Sequence, residues 1–292
     1  MKEISLSECH DILLSLAKEF HTICTENDIP YYMLGGTQLG AVRHKGFIPW
    51  DDDMDFGVPR EYFSSMVDAL KRELPPSMRV LDIHNSDLYT EVLKIEMLGT
   101  RIEEQGRTDK GINVDVFPLD YTNLKKGYFS ANFLTYLAVK YNYFAYTPLV
   151  CHGAVRASLQ YMLTKFRPVR KATFLRWIAE KSLKNRNNFT AYANHYGFWN
   201  LKEIHPKEVF GNPVLYDFEG INLYGVEDYD KYLSSLYGNY MELPPESKRH
   251  IHCSKIWIES SVSNVRQHIR KKSMEVFGAK KGGEGYDSWK MK

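Results

Sequence analysis

Cysteine is scarce in this chain: four residues in 292, Cys9, Cys24, Cys151 and Cys253. Their spacing is too wide for a paired-cysteine zinc site, and Cys9 and Cys24 fall within one expected helix, which argues against a disulfide scaffold and for a reduced, cytoplasmic protein. Long apolar runs are also missing. The opening MKEISLSECHD carries acids where a secretory peptide needs an apolar core, and no later stretch is uncharged over spanning length, so any membrane contact is expected at the inner face of the cell membrane. Net charge is nearly absent, with 38 Lys and Arg against 36 Asp and Glu. No nucleic-acid partner is therefore expected through bulk charge, and an anionic ligand must be held by a local basic cluster.

What is present is a globular composition, 43% hydrophobic and 25% charged. Ser5 and Glu8 form a capping-box pattern ahead of Ile12, Leu13, Leu16, Phe20 and Ile23 at helical spacing, so the first helix is amphipathic and ends near Asn27. Pro30 stops it, YYML (31–34) reads as a short strand, and Gly35-Gly36 read as a turn leading into a helix over 37–43. Residues 53–58 alternate polar and apolar, and a helix is predicted from Glu61 to Leu74, where Pro75-Pro76 ends it. Strands are predicted at 78–84, 89–98 and 112–119, with a charged, glycine-bearing loop before the last. The pattern predicts an α/β (α+β) fold: a compact core over 1–124, a largely helical, aromatic and basic insertion over 125–200, and a C-terminal part over 201–292 that closes the active site, with a helix at 226–237.

Chemistry concentrates in GGTQLGAVRHKGFIPWDDDMDF (35–56). Gly35 and Gly36 permit close backbone approach to a ligand, and a helix N-terminus after them favours phosphate, although a lone Gly-Gly is more often an ordinary turn. The strand period places Asp53 and Asp55 on one face, opposite Met54 and Phe56. Two such carboxylates form half of a site for a hard cation, magnesium (Mg2+) or manganese (Mn2+), holding a diphosphate; a solvated acidic turn is the alternative. Asp115 is a lone acid in the apolar run INVDV (112–116), suited to ligation, to base duty, or to a satisfied structural role. Arg43, His44 and Lys45 stand between the two motifs and can neutralise phosphate or a leaving nucleotide, and Lys248, Arg249, His250 and His252 form a second basic knot; either run reads equally as a solvated loop.

The block 35–63 resembles the signature of the LicD family, which includes bacterial phosphocholine transferases and is related to the fukutin-related sugar-phosphate transferases. The resemblance continues in INVDVFPLD (112–120) and in YLSSLYGNYMELPPESKRHIH (232–252), with the insertion matching only loosely. It implies a nucleotidyltransferase-like mixed-sheet core, a catalytic metal-binding trio of Asp53, Asp55 and Asp115, and a phosphate turn of Gly35, Gly36 and Thr37. It further implies metal-dependent transfer of a phospho-alcohol, foremost phosphocholine, from a CDP-activated donor to a glycan hydroxyl, on a cell-surface or lipid-linked acceptor. The alternatives are phosphoethanolamine, glycerol phosphate or ribitol phosphate from their CDP forms, nucleotidyl transfer, and a non-catalytic glycan- or nucleotide-binding relative.

A quaternary ammonium needs aromatic faces, and Trp50, beside the acid cluster, is the first candidate, although a core role suits it as well. The aromatic and basic stretch 128–186 reads either as a packed helical subdomain or as a surface that docks on anionic lipid.

Overall fold

The computed structural model describes residues 1–85, 91–104, 107–124, 171–249 and 253–259, with a few isolated helical positions between 135 and 162. The elements run β1 (Lys2–Glu3), α1 (Leu6–Glu26), β2 (Tyr32–Met33), α2 (Gly35–Arg43), β3 (Asp55–Pro59), α3 (Arg60–Glu73), β4 (Met78–Leu81) and β5 (Leu93–Met97). A hairpin of β6 (Thr100–Glu104) and β7 (Arg107–Lys110) precedes the long strand β8 (Asn113–Thr122). After it come α4 (Lys171–Asn185), β9 (Ala191–Ala193), β10 (Ile204–Pro206), α5 (Lys207–Phe210), β11 (Val214–Phe218), β12 (Ile221–Gly225), α6 (Tyr229–Tyr237) and β13 (Cys253–Ile258). The fold is mixed α/β, as its sequence pattern predicts. The aromatic stretch 142–150 and the tail from residue 260 lie outside the described residues.

Local signals set the first helices. Ser5 caps α1 through a reciprocal capping box, its hydroxyl accepting the Glu8 amide at 3.2 Å while the Glu8 carboxylate accepts the Ser5 amide at 2.9 Å. Helix α3 carries Glu61 in its first turn and Lys71 and Arg72 in its last, each placed to complement the helix dipole. The apolar faces of both helices pack on the main sheet, joining Leu13, Leu16, Phe20, Met66 and Leu70 to Phe56, Ile95, Val114 and Val116 in one buried cluster.

The main sheet has seven strands. Along its principal path the order is β10-β9-β8-β3-β2, with β5 also paired to β8 and β4 to β5. Strand β8 is the organiser: its first half lies parallel to β3 and antiparallel to β5, and its last three residues turn to pair with β9. The β3–β8 pair is parallel and needs a crossover, which α3 together with β4 and β5 supplies.

Two features depart from the expected pattern. The segment 100–110, read as a charged loop, is the β6–β7 hairpin, and with β1 and β13 it forms a second sheet in the order β1-β13-β6-β7. Its alternation is carried by charged and hydroxyl residues such as Thr100, Arg101 and Glu103, so a hydrophobic period does not reveal it. The loop-textured stretch beyond Pro206 contains the β11–β12 hairpin, whose turn uses Glu219 and Gly220, both at positive φ.

Behind the sheet, Arg60 is buried and holds two carboxylates, Asp120 at 2.7 Å and Glu91 at 2.9 Å. Helix α3 is thereby locked to β8. The variant Asp120→Ala leaves a buried guanidinium with half its counter-charge, and denaturant unfolding is expected to show a loss of about 3 kcal/mol.

Candidate active site

The parallel register sets Asp55 of β3 against Asp115 of β8, and the antiparallel register sets Lys94 of β5 against the same Asp115. Three chemically active side chains therefore form one row across three adjacent strands, spaced by about 4.8 Å per strand. Lys94 grips both oxygens of Asp115, at 2.5 and 2.6 Å, and Asn113 donates to one of them at 2.6 Å. Asp55 has no such relief. Burial raises its carboxyl well above the ordinary range, and the charges of Asp53, Asp115, Asp51 and Glu203 raise it further.

Regular strand structure begins only at Asp55, so Asp53 lies in the loop before β3 rather than on the strand. The alternation nonetheless holds: Met54 and Phe56 are fully buried, while Asp53 is exposed and Asp55 half-buried. The loop is pinned from outside. The Asp52 carboxylate accepts the Cys253 amide of β13 at 2.6 Å, and His10 of α1 bonds the Asp51 carbonyl at 2.7 Å. Asp52 thus serves as a tie to the second sheet.

Among the described residues, no three His, Cys, Asp or Glu side chains gather as a closed metal-ligand set, and Asp115 is held by Lys94. The donors still fit a hard divalent cation in kind. All are carboxylate oxygens, and the crowding of like charge on Asp55 is the stress that a cation relieves.

Gly35 and Gly36 are the first turn of α2 rather than a turn ahead of it. Gly35 has φ +49°, where a side chain is strained, and a Cβ on Gly36 would sit 2.7 Å from Oδ2 of Asp51 and oblige that carboxylate to shift. The helix start is fastened to its surroundings: the Gly35 amide donates to the Tyr232 hydroxyl at 3.0 Å, and the buried Thr37 hydroxyl accepts the Asp55 amide at 2.8 Å. The Thr37 side chain therefore positions Asp55.

The two basic segments meet around Trp50. Arg249 stacks its guanidinium 4.6 Å from the Trp50 ring centroid, and His44 approaches the same ring edge-on at 6.3 Å. Burial and the adjoining Arg43 charge lower the His44 pKa. Arg43 itself donates to the Tyr240 carbonyl at 2.6 Å and so holds the loop after α6, whereas Lys45 is exposed. Lys248 lies in a 3-10 turn, and His250 and His252 fall outside the described residues.

Sequence reasoning missed the wall opposite the aspartates. The Tyr237 hydroxyl reaches toward Gly35, within 3.6 Å of where a Cβ would stand, and a half-exposed Trp199 packs edge-on to Tyr237 at 5.7 Å. Beneath Trp199 lies Glu203, which accepts the Trp199 amide at 2.7 Å and the Asn194 side chain at 2.6 Å. Burial pushes the Glu203 carboxyl up to about 7, against the pull of those two bonds. These residues sit far from the aspartates in sequence; Trp199 and Glu203 fall in no motif, and Tyr237 falls in the block 232–252, whose Tyr-Gly pair marked only the end of a helix.

Residues 28–150 match the family described as LicD/FKTN/FKRP, nucleotidyltransferase domain. This stretch of the chain is a LicD-type domain. The match covers the glycine pair, the aspartate loop and Asp115. Over 268 residues the chain is 28% identical to the lipopolysaccharide cholinephosphotransferase LicD of Haemophilus influenzae, a similarity spanning 86% of this chain and 97% of that protein. Uncharacterized proteins of Rickettsia prowazekii and Rickettsia typhi are each 51% identical over 49 residues, 17% of this chain and less than a fifth of either of them.

Glu203 makes a signed prediction. Its folded-state pKa is raised, so the folded protein holds this proton more tightly than the unfolded chain does, and stability falls as pH rises from about 4.5 through about 7. Melting temperatures recorded from about pH 5 to about pH 8 are expected to fall less steeply in Glu203→Gln than in the wild type.

Proposed function

We propose that this LicD-type protein transfers a phospho-alcohol, foremost phosphocholine, from a CDP-activated donor to a glycan hydroxyl. The reading rests chiefly on one observation: the Asp55–Asp115 row lies beside the glycine-started helix α2. It draws support from the similarity, over 97% of that protein's length, to the Haemophilus lipopolysaccharide cholinephosphotransferase. The same likeness supports a glycan acceptor, and the basic character of 165–186 supports a lipid-linked one. No helix among the described residues is long and apolar enough to cross a membrane.

Asp55 and Asp115, with Asp53 at the rim, would hold Mg2+ or Mn2+. The ion, when bound, supplies a Lewis acid that offsets charge on the diphosphate. The chain's own groups do the rest. The first turn of α2, with the Gly35 amide held by Tyr232, offers its positive dipole end to phosphate at Gly36 and Thr37. Arg249 and His44, gathered on Trp50, lie next in sequence or space to the aspartate loop and suit the nucleotide side of the donor. Asp115, oriented by Lys94 and Asn113, stands ready to align an acceptor hydroxyl. That hydroxyl attacks the phosphorus bearing the alcohol and releases its proton to solvent, the bond to CMP breaks in line, and CMP leaves.

The test is CMP release from CDP-choline in the presence of Mg2+ and a glycan acceptor. Asp55→Asn and Asp115→Asn are expected to lose at least about a hundredfold in rate while remaining folded. Mn2+ should also raise the melting temperature of the wild type and leave that of Asp55→Asn unmoved. Release of pyrophosphate from a nucleoside triphosphate would instead show nucleotidyl transfer. Binding of CDP-choline with no turnover under any metal would show a non-catalytic relative.

A further inference from the structure

We infer that Trp199 and Tyr237 form the subsite for the donor's alcohol head and select a methylated, quaternary ammonium over a primary ammonium or a neutral polyol. The inference rests on the transfer reaction proposed above and specifies its substrate.

A quaternary ammonium has no hydrogen to donate. It is recognised by the faces of aromatic rings, with carboxylates nearby adding long-range attraction, whereas a primary ammonium or a polyol needs hydrogen-bond acceptors and hydroxyl partners. The corner at Trp199 and Tyr237 supplies the former. The two rings meet edge-on at 5.7 Å, and the exposed Phe198 extends the wall, 5.4 Å from Trp199. Their placement beside the reacting centre is direct, since the Tyr237 hydroxyl neighbours Gly35, whose own Cβ position would lie 3.8 Å from Oδ2 of Asp55. A phosphorus atom held at Asp55 thus has the aromatic corner within the reach of a two-carbon alcohol.

A cation already stands near the Trp199 ring. The Lys202 ammonium lies 5.7 Å from its centroid, on an exposed side chain that an incoming head group can displace. Glu203 fixes the ring's position by accepting the Trp199 backbone amide at 2.7 Å, and it places a carboxyl group beneath the corner. Trp50, the first candidate by sequence position, is covered by the Arg249 guanidinium at 4.6 Å, which the Pro244 carbonyl holds in place, whereas Lys202 over Trp199 is exposed.

The experiment compares kcat/KM for CMP release from CDP-choline and from CDP-ethanolamine by the wild type, Trp199→Leu and Trp199→Tyr. Calorimetric titrations of phosphocholine and phosphoethanolamine run alongside, and melting curves confirm folding. The wild type is expected to favour the choline donor by about tenfold. Trp199→Leu should erase most of that preference while still turning over CDP-ethanolamine, and Trp199→Tyr should keep it. An equal fall with both donors, or an unchanged preference in Trp199→Leu, overturns the subsite. Should the wild type release no CMP from any CDP-alcohol, the proposed reaction fails, and the titrations still decide the subsite. Phosphocholine binding that is lost in Trp199→Leu upholds it, and binding that is indifferent to the methyl groups, or absent in the wild type, overturns it.

Discussion

The parallel pairing of β3 with β8 is the constraint from which the candidate site follows. It brings two carboxylates from positions 55 and 115 to one level of the sheet, where each alone would be an ordinary polar residue at a strand end. Everything around that pair manages its charge. Lys94 neutralises one member from the next strand, Thr37 fixes the backbone of the other, and burial with the neighbouring carboxylates raises the Asp55 carboxyl. Such stress is tolerated where it serves binding or catalysis, since an unneeded carboxylate beside four others is easily replaced by a neutral residue.

Around this pair the protein separates two kinds of side chain. The cationic groups Arg249 and His44 collect on Trp50 on one side of the aspartate loop. The aromatic and acidic groups Tyr237, Trp199 and Glu203 collect on the side of α2 and α6.

Much of this was legible along the chain, for physical reasons particular to each residue. The capping box at Ser5 and Glu8 is a local device, and local signals read directly. The alternation from Asp53 to Phe56 foretold which side chains enter the core, although the regular strand starts two residues later because the loop is held by Asp52 and His10. Pairings between distant strands were not legible. Nothing near Lys94 announces Asp115 as its partner, and nothing near Glu203 or Trp199 announces the glycine helix. The second sheet stayed hidden because its alternation is written in charged residues, and because β1 is only two residues long.

The bond between the Asp52 carboxylate and the Cys253 amide spans 201 positions of chain, and the Gly35 to Tyr232 bond spans 197. During synthesis, therefore, the aspartate loop and the glycine helix emerge long before the groups that fix them. A nascent chain bearing the whole of residues 28–150 still lacks the clasp that orders its aspartates. The contacts that fix the loop and the helix start therefore close only after nearly the whole chain has emerged, late in the ordering of the site.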